Sequence, residues 1–331
     1  MQKLLTISIA AYNVEDYIEE TLDSLVASKY CDRLEIFVVD DGGQDDTLTI
    51  AKEYQKRYPN SVFPVHKENG GYGTTVNYSM EHATGKYFKL LDGDDWFDTD
   101  SLDQLIELLE HSQTDVLVTP FNWGPTVNEV QKKTLTAYPK EPTLFSHLKS
   151  YQTISMWSLC YRTDILRQAS FELPGRTLYT DILYATIPFA YIKTIQYIDL
   201  PVYGYRVGRD GQSVSRASRI KNVEMMLGIS ERLAQFYANK KTNENAPYLL
   251  HRATSAYLQG VKTLFLLDVT AETKQRLKTF DQTIHSASSE VYEGILALGK
   301  LGKFLKLVRM TNYQAYYLLK ILYPKGFPNW I

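Results

Sequence analysis

Three carboxylates within four residues, Asp92, Asp94 and Asp95 of Leu91-Asp92-Gly93-Asp94-Asp95, give the strongest chemical signal in the sequence. Clustered carboxylates repel one another unless a cation or hydrogen-bond donors compensate. Hard oxygen ligands suit Mg²⁺ or Mn²⁺, and a diphosphate would complete the shell. An EF-hand loop starting at Asp92 fails, because Trp96 and Phe97 would occupy its fifth and sixth positions, where an oxygen ligand and glycine are required. A second acidic pair, Asp40-Asp41, precedes Gly42-Gly43. Taken alone, that pair is better explained as a cap for a helix starting near Asp46. At a strand end, however, its carboxylates suit a base N–H or a ribose hydroxyl, and the glycines let the backbone approach a ligand. Asn69-Gly70-Gly71-Tyr72-Gly73 has neither the dinucleotide nor the P-loop glycine spacing. It reads equally well as a phosphate loop or as a flexible turn into a helix carrying Asn77.

The elements that must position these residues follow from hydrophobic periodicity. Strand-like runs at Leu5 to Ala11 and Leu34 to Asp40 alternate with helical patterns at Val14 to Ser28 and Asp46 to Arg57. Leu34-Glu35-Ile36-Phe37-Val38-Val39 carries one charge, as expected of a parallel strand covered on both faces. A further unit predicts a strand at Val62 to Val65, a loop at Lys67 to Thr75, a helix to Ala83 and a strand at Tyr87 to Leu91. Both acidic groups then fall beyond strand carboxyl ends, where open α/β sheets hold ligands. A helix from Ser101 to His111, capped by Asp98 or Asp100, leads to a strand at Asp115 to Thr119. Residues 122–142 read as a hairpin or a long insertion, and the chain is mainly helical in pattern from Asn222.

The 331 residues are 44% hydrophobic with a net charge of −2, enough for a buried core and without the cationic excess that nucleic acid demands. Cys31 and Cys160 are too few and too distant for a disulfide framework, so a reducing cytosol is the expected compartment. The N-terminus reads as a buried strand rather than a signal peptide, and no stretch is apolar enough to span a bilayer.

Ile7-Ser8-Ile9-Ala10-Ala11-Tyr12-Asn13, Val38-Val39-Asp40-Asp41-Gly42, Asn69-Gly70-Gly71 with Asn77, Ala83-Thr84-Gly85-Lys86-Tyr87 and Leu91-Asp92-Gly93-Asp94-Asp95 occur in this order. Over about residues 4–215 the sequence resembles the family 2 glycosyltransferases. The resemblance implies an α/β fold of the GT-A type, a mixed sheet flanked by helices, spanning about 1–220, with a nucleotide-binding half to about residue 100, an acceptor half beyond it and a helical region at 221–331. It implies inverting transfer from a nucleotide diphosphate sugar, most simply a UDP-sugar, to a glycan or lipid-linked acceptor in surface polysaccharide synthesis. Ala11, Tyr12, Asn13, Asp40, Asp41, Asn69, Gly70, Gly71, Asn77, Asp92, Asp94 and Arg206 are then expected at the donor, Asp94 and Asp95 at Mn²⁺ or Mg²⁺, and Asp181 as catalytic base. Thr180 stands where an acid commonly precedes that base, and Val76 where an arginine often precedes Asn77. Asp181 also fits an N-cap for the apolar run Ile182 to Ala190. Pro201 to Arg206 with Ser213-Val214-Ser215 resembles the segment that closes over the donor in relatives, although Arg206 beside two tyrosines also fits simple stacking. The Q-x-x-R-W signature of processive relatives is absent, which favours one addition per encounter.

Residues 299–331 contain Lys300, Lys303, Lys306, Arg309, Lys320 and Lys325 without one acid. Interleaved Leu301, Phe304, Leu305, Val308, Tyr313, Tyr316, Tyr317, Leu318 and Trp330 fit helices lying on an anionic leaflet, or equally helices packed onto the protein with solvated lysines. Two other functions share the acidic α/β pattern: a nucleotidyltransferase and a non-catalytic nucleotide- or sugar-binding module. The first predicts a glycine-rich basic loop where Ala10-Ala11-Tyr12-Asn13 stands. Oligomeric state leaves no mark in the sequence.

Overall fold

In the computed structural model residues 2–135, 137–208 and 215–328 are described, and the chain divides into two compact units, Met1–Arg209 and Asp210–Ile331.

The first unit opens with the expected alternation: β1 (Leu5–Ala11), α1 (Glu15–Val26), β2 (Leu34–Asp40), α2 (Thr47–Arg57), β3 (Val62–His66), α3 (Tyr72–His82) and β4 (Tyr87–Asp92). Every residue of β2 is buried, the signature of a strand covered on both faces. In α1, Ile18, Leu22 and Leu25 repeat at helical spacing and join the core with Ile7, Ile9 and Leu105. The strands β3-β2-β1-β4 are parallel in that order. The chain therefore moves outward from β1 through β2 to β3, then returns to β1's other side as β4. That reversal leaves a crevice beyond the carboxyl ends of β1 and β4, the place where open α/β sheets hold ligands.

After the two-residue β5 (Trp96–Phe97) come α4 (Thr99–His111), β6 (Val116–Val118), the hairpin β7 (Phe121–Thr126) and β8 (Glu129–Lys133), and β9 (Thr143–Leu144). The rest of the unit comprises β10 (Leu159–Arg162), α5 (Thr163–Ala169), α6 (Asp181–Tyr184), β11 (Thr194–Tyr197) and β12 (Tyr203–Arg206). The large sheet continues β4-β10-β6-β11-β9, with β10 antiparallel to both its neighbours, so the sheet is mixed. A second sheet, β5-β12-β7-β8, joins the turn after β4 to the hairpin. Of the two candidate caps for α4, Asp98 is the one used: it accepts from Ser101 N at 2.9 Å.

The second unit is helical: α7 (Arg216–Lys221), α8 (Val223–Lys240), α9 (Ala246–Phe265), α10 (Ala271–Ala287), α11 (Ser289–Gly294), α12 (Gly299–Met310) and α13 (Leu319–Leu322). Leu305 and Val308 of α12 are buried. Arg309 is ion-paired at 2.8 Å with Asp281, a fully buried carboxylate that also receives the Tyr257 and Tyr313 hydroxyls. Arg309 therefore does not belong to the basic surface expected of residues 299–331, and Tyr313 and Tyr316 are core residues of this unit. Trp330 lies outside the described residues. No described helix is long and apolar enough to cross a membrane.

Candidate active site

The acidic turn sits at the carboxyl end of β4, beside that of β1. Its backbone is pinned from three sides. Asp92 N–H donates to the Tyr203 hydroxyl at 3.1 Å, Gly93 N–H to Ala10 O at 3.0 Å, and the buried Thr21 hydroxyl to Asp95 O at 2.7 Å. A side chain at Gly93 would press on Ala10 O at 3.0 Å, so glycine there lets β1 and the turn lie together.

The three acids have different fates. Asp95 is buried, accepting from the Tyr203 hydroxyl at 2.6 Å and from Arg206 N–H at 2.7 Å, one donor on each oxygen. Burial foremost, then the charges of Asp92 and Asp94, push its carboxyl well above the usual range, against the pull of those two donors. Asp95 is thus an anchor that ties the turn to β12. Asp92 and Asp94 stay partly exposed at the crevice.

Arg206 is held from several sides. Its guanidinium donates to Asp94 O at 2.8 Å and Pro125 O at 3.0 Å, pairs with Glu20 at 3.1 Å, and lies over the Tyr17 and Trp96 rings. The rings it lies over, Tyr17 and Trp96, come from α1 and β5 rather than from its sequence neighbours. Tyr203–Arg206 is a strand paired on both edges rather than a closing flap. Ser215 caps α7, and Ser213 and Val214 lie outside the described residues.

At the end of β1, Ala11 is buried, Tyr12 is 53% exposed, and Asn13 adopts φ +51° with its side-chain oxygen accepting from Gln44 N–H at 2.8 Å. Asp40 accepts from Gly43 N–H at 3.1 Å and contacts His66 Nδ1 at 2.6 Å. Asp41 receives Gly70 N–H at 2.9 Å, Gly71 N–H at 2.7 Å and Lys67 Nζ at 2.6 Å. The acidic pair therefore holds its own loop and the glycine loop, and it is Asp45, not this pair, that accepts from the first N–H of α2. Asn69 stands at the exposed start of the glycine loop. Both ends of the Asn77 amide pair with the Leu173 backbone at 2.9 Å.

Asp181 opens the short α6 as its first residue, and no side-chain cap is made at that helix end. Two tyrosines feel both its charge and that of the acidic turn. Tyr72 is pushed well up by burial, then by the charges of Asp92 and Asp181. Tyr205 is pushed up by burial, then by Asp95, Asp92, Asp94 and Asp181. Thr21, Tyr72 and Tyr203 carried no sequence signal of their own, since each gains its role from a distant element. Among the described residues no group of three or more His, Cys, Asp or Glu side chains is placed to hold a metal ion.

The model of glycosyl transferase family 2 matches residues 6–173. GlyA of Streptococcus pneumoniae, a glycosyltransferase, is 26% identical over 99% of this chain and 49% of its own length. EpsH of Bacillus subtilis is 28% identical over 61% of this chain and 60% of its own. The chain thus spans about half to three-fifths of these relatives. The crystal structure of S. aureus TarS 1-349 superposes with a TM-score of 0.72, covering 98% of this chain and 91% of that one at 22% identity, a likeness of fold. With the family model matching half of the chain and the sheet order, acidic turn and crevice in place, this chain belongs to glycosyl transferase family 2.

Proposed function

We propose that the chain transfers one sugar per encounter from a UDP-sugar to a hydroxyl of a glycan or lipid-linked acceptor, inverting the anomeric centre. The observation that carries this reading is the acidic turn pinned at the carboxyl ends of β1 and β4, with Asp92 and Asp94 partly exposed, in a chain of glycosyl transferase family 2. S. aureus TarS, which has the same fold, has been crystallised with UDP and with UDP-GlcNAc, which supports a uridine donor.

In the reaction, the carboxylate of Asp181 accepts the proton of the acceptor hydroxyl as that oxygen bonds to the anomeric carbon. The bond from that carbon to the diphosphate breaks on the opposite face, and its electron pair leaves with the diphosphate. A direct displacement needs no second, nucleophilic carboxylate. The partly exposed pair Asp92 and Asp94 suits a divalent cation, Mn²⁺ or Mg²⁺, which commonly takes one or two carboxylates and completes its shell with substrate phosphates. Such a cation would neutralise charge on the leaving diphosphate.

Calorimetric titration of UDP with Mn²⁺ and with EDTA, on the parent chain and on Asp94→Ala, tests the donor site: metal-dependent binding that the variant loses supports it, and no binding in any condition sinks it. Asp181→Asn then separates a transferase from a binding module, since only a transferase loses turnover while keeping UDP.

A membrane-bound acceptor is the second part of the proposal. Lys300, Lys303, Leu307 and Met310 fall on one stripe of α12 and are all exposed, followed by exposed Leu318, Lys320, Ile321, Leu322 and Lys325. This face suits the anionic inner leaflet of a plasma membrane. Cosedimentation with phosphatidylglycerol vesicles but not with phosphatidylcholine vesicles supports it; recovery in both supernatants removes it.

A further inference from the structure

We propose that the stretch Asn69–Asn77 is the platform that sets the segment carrying Asp181, with Asn77 as its positioning residue; this rests on the reading of Asp181 as the base. The motif looks like a phosphate loop in the sequence, yet its contacts run elsewhere. Asn77 Nδ2 donates to Leu173 O and its Oδ1 accepts from Leu173 N–H, both at 2.9 Å, as a strand neighbour would. One turn earlier on α3, a Cβ at Gly73 would lie 2.6 Å from Pro174 O. At Gly71, where φ is +85°, it would lie 2.8 Å from Arg176 N. Gly70 O accepts from Arg176 N–H. Descending from 77 to 70, the motif thus meets 173 to 176 in ascending order. The glycines are needed because backbone lies on backbone there.

What the platform supports is a strained piece of chain. Arg176 and Tyr179 are both left-handed, with φ of +49° and +65°, although neither is glycine. Such conformations persist only where surrounding contacts over-determine them, and they gather at sites that need a fixed geometry. Asp181 follows two residues after Tyr179. The platform is itself fixed from below, because Asp41 receives the N–H groups of Gly70 and Gly71. Asn is required at 77 because only a side-chain amide both donates to and accepts from one backbone residue; aspartate keeps the acceptor half alone.

The test compares Asn77→Ala, Asn77→Asp and Asp181→Asn with the parent in four measurements: amide hydrogen exchange in peptides covering 173–181, UDP affinity by calorimetry, turnover of a UDP-sugar, and thermal melting. For Asn77→Ala, exchange in 173–181 rises at least about tenfold and kcat falls about a hundredfold, the cost of a base displaced by roughly 1 Å. UDP affinity stays within about twofold, because both ends of the Asn77 amide are spent on Leu173, and Asn77→Asp falls between parent and Asn77→Ala. A role in overall stability alone would instead lower melting and UDP affinity together with turnover, and that outcome overturns the proposal. So does native exchange in 173–181, or turnover within about twofold of the parent. Should Asn77→Ala fail to fold, Asn77→Asp carries the same readouts. An active Asp181→Asn overturns the base reading by itself, while the exchange measurement still decides the platform.

Discussion

Lys89 is a fully buried lysine three residues before the acidic turn, with its ammonium donating to Trp157 O at 2.7 Å and Leu159 O at 3.3 Å. Desolvation pulls it down to about 8. Between about pH 8 and the unfolded value near 10.5 the unfolded chain therefore binds the extra proton, so stability rises with pH across that window. The full rise is worth about 3 kcal/mol. Cys160 opposes it, since burial pushes its thiol up to about 12 and the unfolded thiolate is favoured above pH 9. Lys89→Met removes the lysine part: urea unfolding at pH 7.5 and 10 is expected to show the parent gaining relative to the variant. Equal pH dependence in both would refute the assignment. At the same scale, Asp95→Asn leaves a single acceptor where Tyr203 and Arg206 both donate, so melting temperature falls. Asp94→Ala is expected to lose metal-dependent UDP binding with little change in melting, which separates the anchor from the proposed ligand.

Among the elements, β12 decides the shape of the acidic turn. Gly204 lies directly against Trp96, its register partner, and a methyl group there would come within 2.2 Å of the indole. The indole in turn lies under Arg206. Gly204→Ala is therefore expected to cost roughly 1–3 kcal/mol by overpacking and to shift the turn enough to weaken UDP binding, measured by melting and calorimetry together. Native stability with native affinity would show that Trp96 yields without moving the acids. The same geometry explains why Trp96 had no legible role in the sequence. An aromatic after a strand is ordinarily core, and only the small sheet shows that this one backs the site.

For the molecule as a whole, the helical unit rests on a buried charge. Asp281 holds Arg309 through two hydrogen bonds and accepts two tyrosine hydroxyls, with Arg309 also stacked on Tyr292. Arg309→Met leaves a buried carboxylate without its cation and is expected to cost about 3–5 kcal/mol, read as a lower urea midpoint. The double variant Asp281→Leu with Arg309→Met should recover most of that loss, because an apolar pair of similar volume avoids the desolvation. If the double variant is no better than the single one, the tyrosine bonds rather than the ion pair hold the unit. Lys303→Gln and Lys306→Gln, both exposed, should leave the midpoint unchanged.

The sequence alone determined the alternation β1 to β4, because strands buried on both faces must be continuous apolar runs and amphipathic helices must repeat their apolar residues every three or four positions. It also determined that the acids stand at strand carboxyl ends, and hence where a ligand would be held. Tertiary structure alone decided what each polar group is used for. Asp94 and Asp95 are adjacent and chemically identical, yet one faces the crevice while the other is consumed by Tyr203 and Arg206, more than a hundred residues away in the chain. Asn77 and Arg206 likewise found partners in Leu173 and Asp94 that no local pattern announces. Periodicity records which side of an element is buried, whereas hydrogen bonds between distant segments depend on how the chain returns, and that is settled only when the sheet closes.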